Sequence, residues 1–177
     1  MVTRVERSYA YVGPADLTEL VSPGGAGQIV ESLADFSAWA AGKPPDEMDE
    51  PWTFVIDLPG RLRLAPRRSE HVVCAGGERV LAAGEIGFRR TGGGWRVVHV
   101  SNQSTGYCPD LGCWNAVAAA LDGVGLARPA GFTHEVVFRR CSKCAELNAV
   151  KEGFFVCAFC ESDLPAKWNV DGTGSQD

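Results

Sequence analysis

Apolar residues in the middle of this chain come in short runs, alternating or unbroken, each closed by glycine, proline or a polar cluster. WTFVIDL (52–58), RLRLA (61–65), HVVCA (71–75), RVLAAGEIGFRR (79–90) and WRVVHVSN (95–102) are separated by Pro-Gly, Arg-Ser-Glu, Gly-Gly and Gly-Gly-Gly breaks. That pattern predicts antiparallel strands joined by short glycine-rich turns. Looser alternation in RVERSYAYV (4–12) predicts a first strand, and FTHEVVFRR (132–140) a last one. Helical spacing occurs elsewhere. QIVESLADFSAWAAG (28–42) puts Ile29, Leu33, Phe36 and Trp39 or Ala40 on one face and stops at Gly42. NAVAAALDGVG (115–125) is an alanine-rich helix ended by glycine, with Asp110 as its expected cap. A short helical turn opens at Pro14-Ala15-Asp16 and runs through Val21. SPGGAG (22–27) is a flexible break, and KPPDEMDEP (43–51) an acidic surface loop.

The strongest chemical signal follows the last strand. RRCSKCAELNAVKEGFFVCAFCESDLP (139–165) holds two CxxC pairs, Cys141/Cys144 and Cys157/Cys160, with twelve residues between them. A CxxC turn lets two thiolates converge on one ion, and zinc takes four such ligands in a tetrahedron. Lys151-Glu152-Gly153 is a turn signal, and Phe154, Phe155 and Val156 are the expected return strand. The segment therefore predicts a four-cysteine zinc ribbon with one structural Zn2+, since about 30 residues cannot bury enough core to fold unaided. Redox pairs or buried free thiols are the alternative. Between Glu135 and Lys167 five basic and five acidic residues balance. Such a segment offers no electrostatic footprint for a phosphate backbone. Phe154, Phe155 or Phe159 are expected to dock the ribbon on the rest of the chain.

Composition narrows the classes. The chain has 177 residues, 45% of them hydrophobic and 22% charged, which suits one globular domain with a small metal-braced appendage. Its net charge of −5 opposes general binding to nucleic acid or to an anionic membrane surface. No apolar run approaches the roughly 20 residues of a membrane span, and the start lacks the apolar core of a secretory signal. Seven cysteines, an odd number, without an export signal predict a reducing, cytoplasmic setting. The expected fold class is α+β: an antiparallel β-rich domain over 1–132 with two or three helices, a docked ribbon over 133–168, and a disordered tail over 169–177.

Residues 63–109 contain His71, Ala75-Gly76, Ala82-Ala83-Gly84-Glu85, Asn102, Ser104, Tyr107 and Pro109. In that order they resemble a module of plant calmodulin-binding IQ-motif proteins and of some bacterial secreted-toxin tails. There a His-Ser-Ser, an Ala-Gly turn and an Ala-Ala-Gly-Glu precede Asn-x-Ser-Gly-His-Tyr-x-Pro. This chain departs from the pattern at Glu70-His71-Val72, which lacks the serines, and at Thr105-Gly106, which replaces the Gly-His. The resemblance implies a candidate site without supplying its activity.

The residues make the same suggestion. Asn102, Ser104, Thr105, Tyr107 and Cys108 follow a hydrophobic strand, and Gly106 would let backbone approach a ligand. His71 and Glu85, on neighbouring strands, form a possible base and partner, with Tyr107 beside the reacting atom. The alternative is a hydrogen-bonded core histidine, an exposed glutamate and a turn held by Asn and Ser side chains. Arg61, Arg63, Arg67 and Arg68 fall within eight residues without an acid. Arg61 and Arg63 share a strand face and suit a phosphate or carboxylate. A charged edge strand, or pairing with the acidic 46–50 loop, explains them equally well. A nucleophilic Cys74 or Cys108 with His71 or His99 completes the chemical options.

Two functional classes follow. The first is a non-enzymatic binding or regulatory module for a protein partner or small anionic ligand. The second is an enzyme on a nucleotide-like or other phosphate-bearing substrate, a toxin-like transferase or hydrolase, using Arg61, Arg63, Asn102 and Ser104 for binding and His71, Glu85 and Tyr107 for chemistry.

Overall fold

In the computed structural model, residues 6–171 are described. Five strands form one antiparallel sheet: β1 (Gln28–Val30), β2 (Trp52–Asp57), β3 (Leu62–Ala65), β4 (Val80–Thr91) and β5 (Gly94–Val100), in the order β1-β3-β2-β4-β5. Two more strands, β6 (Val137–Arg140) and β7 (Leu147–Val150), pair only with each other. With helices α1 (Leu33–Ala41), α2 (Pro45–Met48), α3 (His71–Cys74) and α4 (Trp114–Val124), the class is α+β and rich in strand, as expected.

The register explains the core. Trp52 opposes Ile86 and Phe54 opposes Gly84, so the two-residue period sends Trp52, Phe54, Ile56, Ile86 and Phe88 to one face. There α1 answers with rings: Phe36 lies 4.7 Å from Phe88 and Trp39 lies 4.6 Å from Trp52. All six residues of β2 are buried, because the sheet is covered on both sides at its centre. Gly84 is required by contact. A Cβ there would stand 1.9 Å from the Ser101 carbonyl oxygen. The free edge of β5 is closed by the chain returning through Ala127 and Thr133, whose carbonyl and N–H pair with Val97 and Val100.

Several elements differ from expectation. HVVCA is a single helical turn, α3, held by Glu70 carbonyl bonds and closed by Gly76 and Gly77 at φ 64° and 81°. A short apolar run carries no period to separate strand from buried helix, and two consecutive left-handed glycines decide for the helix. QIVES splits into strand and cap: β1 pairs with β3, and α1 begins only at Leu33. Ser32 Oγ accepts the Asp35 N–H at 3.0 Å while the Asp35 carboxylate accepts the Glu31 N–H at 3.0 Å, a reciprocal cap that fixes the start. The acidic loop contains α2, started by proline and seated by buried Met48. Asp110 makes no side-chain cap; a 3-10 turn, Leu111–Cys113, leads into α4, which ends as expected at left-handed Gly125. Of RVERSYAYV, residues 4 and 5 lie outside the described residues; the rest forms no strand, and Tyr9 makes a single bridge to Val80 while the Val12 N–H donates to the Gly106 carbonyl at 2.7 Å. The turn at Lys151-Glu152-Gly153 is present, but Phe154–Val156 make only isolated bridges. The partner of β6 is β7, which precedes that turn. Finally, Val170 is buried and Asn169 clamps Arg140, so the expected tail is packed at its first residues; 172–177 lie outside the described residues.

Candidate functional site

The four cysteines converge. Sγ atoms of Cys141, Cys144, Cys157 and Cys160 all lie within 4.8 Å of one another. The pairs Cys141–Cys160 and Cys144–Cys157 are 3.6 Å apart. A tetrahedron with metal–sulfur bonds of about 2.3 Å has edges of about 3.8 Å, so the spacing fits one ion with every position filled by protein.

The two CxxC turns are built alike, which the residue spacing alone does not reveal. The Cys141 N–H donates to Glu146 and its carbonyl accepts from Ala145, both at 2.9 Å. Cys157 repeats this with Ser162 at 2.8 Å and Glu161 at 3.0 Å. In each turn the residue after the second cysteine is left-handed, Ala145 at φ 65° and Glu161 at φ 61°. Each turn also aims a backbone N–H at its first sulfur from 3.4 Å, Lys143 to Cys141 and Phe159 to Cys157. The Asn148 amide adds a third such contact, to Cys157. Burial opposes a charged Cys157, yet these donors bring its thiol down to about 6. Cys160 is lowered too, by Ser162, while Cys144 is raised to about 12 against its own backbone bond, by burial and by sharing protons with the other three. Cys157 and Cys160 are thus biased toward thiolate, while an ion would have to displace the proton held at Cys144.

Docking does not follow the expected phenylalanines. Phe154 and Phe159 are 70% and 65% exposed, and Phe155 is partly buried under the Arg139 guanidinium. Phe138, Cys108 and Val170 seat the ribbon together with Trp168, which meets Tyr9 edge-on at 5.3 Å and donates its indole N–H to the Cys108 carbonyl at 2.8 Å. Arg139 is spent on the Phe138, Pro165 and Ala166 carbonyls, and Arg140 on those of Val170 and Ala145. Neither guanidinium is free to grip phosphate.

The other expected site residues are dispersed, and most are committed to backbone. His71 sits on α3, where its Nε2–H donates to the Gly84 carbonyl at 2.9 Å. Burial holds it below the usual imidazole range, with that bond and the nearby Glu85 and Glu70 charges pulling the other way. Tyr107 is fully buried, its hydroxyl donating to the Glu78 carbonyl at 2.7 Å. Asn102, also fully buried, donates to Pro109 and Val136 carbonyls at 3.1 and 2.7 Å and accepts the Val136 N–H at 2.7 Å. Ser104 Oγ accepts the Tyr107 N–H at 3.2 Å. The space beside Gly106 is taken by Tyr11, whose ring is 2.8 Å from where a Cβ would stand. Arg61 and Arg63 find their carboxylate inside the protein: both Nε atoms donate to buried Asp57, at 2.8 and 3.0 Å. Arg67 pairs with Glu50 of the acidic segment. Cys74 and Cys108 are pushed up to about 12 by burial, which makes poor nucleophiles of both.

No protein-family model, curated protein or solved structure matches the chain. Among the described residues no helix is long and apolar enough to cross a membrane.

Proposed function

We propose that the chain is a zinc-ribbon protein acting as a binding module, in which one structural Zn2+ sets a turn-borne aromatic surface for a protein partner. The observation that carries this reading is the pairing of a closed four-cysteine cluster with two phenylalanines, Phe154 and Phe159, left largely exposed beside it. Phe159 lies inside the second CxxC turn and Phe154 three residues before it, so metal binding fixes the backbone that presents both rings. Four thiolates leave no coordination position for water, which supports a bracing role over a catalytic one. Two phenylalanines exposed within six residues are side chains of the kind enriched at protein contacts. The acid–base balance of the segment and the committed Arg139 and Arg140 favour protein over a phosphate backbone.

The test is site-specific photocrosslinking on the full chain in its native cells. Crosslinkers at positions 154 and 159 should trap one common protein, and one at exposed Leu58 should not. The same yield from all three positions would refute a ribbon-borne docking surface. Trapping of nucleic acid would refute the choice of partner.

A further inference from the structure

Twelve arginines fall among the described residues, and eight of them have a partner within the protein. Arg7 pairs with Asp110, Arg61 and Arg63 with Asp57, Arg67 with Glu50, and Arg128 with Asp122. Arg79 donates to Ser8, and Arg139 and Arg140 to carbonyls. Among the described residues four make no such bond: Arg68, and then Arg89, Arg90 and Arg96 together on the β4–β5 hairpin. There Arg89 stands directly opposite Arg96. Like charges in that position destabilise a strand pair, so the arrangement does not serve the hairpin itself.

Beside the hairpin, where α1 and α2 approach it, lies a cleft of about 860 Å³. Its size falls within the range of small-molecule sites. Arg89, Arg90 and Lys43 line it against a single acid, Asp49, in a chain of net charge −5. The walls are apolar: Phe88, Trp95 and Leu33, the last still 47% exposed. Lys43 is positioned in advance. Its ammonium lies 5.7 Å from the Trp39 ring and 5.5 Å from the Trp52 ring, a cation–π seat that holds it without neutralising it.

We propose that this cleft binds a small organic anion with an apolar, ring-sized body, Arg90 and Lys43 taking the charge while Phe88, Trp95 and Leu33 take the body. Converging cations above an apolar wall suit such a molecule better than a polyanion, which the overall negative charge repels. The site is separate from the ribbon and stands or falls independently of its metal and partner.

The probe is anilinonaphthalene sulfonate, titrated into the full zinc-loaded chain and followed by its fluorescence, with the same ring system lacking the sulfonate as the neutral control. One saturable site is expected. Arg90→Gln and Lys43→Gln should each weaken it about tenfold, the loss of one charge-assisted contact. Arg68→Gln and the double variant Phe154→Ser/Phe159→Ser should bind as the parent does. Arg90 is exposed, so its variant keeps the fold, which circular dichroism verifies. Equal affinity for the neutral analogue, or unchanged binding by both cleft variants, overturns the proposal. Displacement of the probe by a short single-stranded oligonucleotide, with a steep salt dependence, would assign the hairpin to nucleic acid and equally overturn it.

Discussion

Asn102 separates a ligand-binding role from a structural one, and Asn102→Ala is the perturbation that decides. Its side chain is fully buried and makes three bonds, two of them 2.7 Å long, tying the 102–109 turn to the strand that enters the ribbon. Truncation leaves the Val136 N–H, in a half-buried position, without its acceptor, at about 1–3 kcal/mol. Two carbonyls lose a donor as well, a smaller cost because each retains a second lone pair. A small cavity adds to this, so the total is about 3–5 kcal/mol, against a whole-domain stability of about 5–15 kcal/mol. The measurement is urea unfolding followed by tryptophan fluorescence, with zinc saturating throughout so that metal loss does not enter. Asn102→Asp sharpens the test. Its carboxylate still accepts the Val136 N–H but faces two carbonyl oxygens, so at neutral pH it should be at least as damaging as alanine. Burial raises the pKa of such a carboxyl, and its neutral form can donate again; relative to the parent, the aspartate variant should therefore gain stability as the pH falls. A loss below about 0.5 kcal/mol for Asn102→Ala, the range of ordinary surface changes, would refute this reasoning.

The proposed zinc site predicts one equivalent of zinc per chain by native mass spectrometry, lost in Cys157→Ser; iron in its place would show by its visible absorption. Chelation should unfold residues 137–164 while the five-stranded sheet keeps its circular dichroism, because the sheet core contains none of the four ligands. Gly84→Ala should cost about 3 kcal/mol or more, since the methyl group would stand 1.9 Å from a backbone oxygen that cannot swing aside; soluble expression with parental thermal stability would contradict this. His71, held below its ordinary 6.5 by burial, contributes stability that is fully present above that pH. That contribution is lost as the pH falls from 6.5 through the lower folded value, and His71→Gln should flatten the decline seen in urea midpoints from pH 7 to 5.

How much was legible beforehand depended on how local the determinant is. β2, β4 and β5, the glycine end of α4 and the cysteine cluster are each specified within a few residues, by alternation, by a left-handed glycine or by the CxxC turn itself. HVVCA and QIVES failed because a run of three or four apolar residues fits either period. The deciding facts, Gly76-Gly77 behind one and β3 beside the other, are a backbone sign and a tertiary neighbour. The same limit explains the polar residues at 71–109. Asn, Ser, Tyr and His after a strand look alike whether they face a ligand or a carbonyl, and only the fold brings Val136 to Asn102, Glu78 to Tyr107 and Gly84 to His71. One signal was available within the chain: Ala82 and Ala83 beside Gly84 are the small residues that a tightly packed sheet demands, and both are fully buried.

Arginine carries the point further, because its meaning is set entirely by what stands opposite. The cluster at 61–68 is the densest run of positive charge in the sequence, and the fold resolves three of its four guanidiniums onto Asp57 and Glu50. Arg139 and Arg140, adjacent to Cys141 and formally a basic pair, are bound to carbonyls and act as struts holding the closing segment of the four-cysteine unit. By contrast the pair Arg89-Arg90, interrupted by nothing but a glycine turn from Arg96, gains no compensation from the fold. A charge without a partner inside the protein is the one still available outside it. The two proposed binding surfaces differ accordingly. One is apolar, on the turns of the four-cysteine unit, and the other cationic, over an aromatic cleft. They call for partners of different chemistry, so a variant of one should leave the other's binding unchanged.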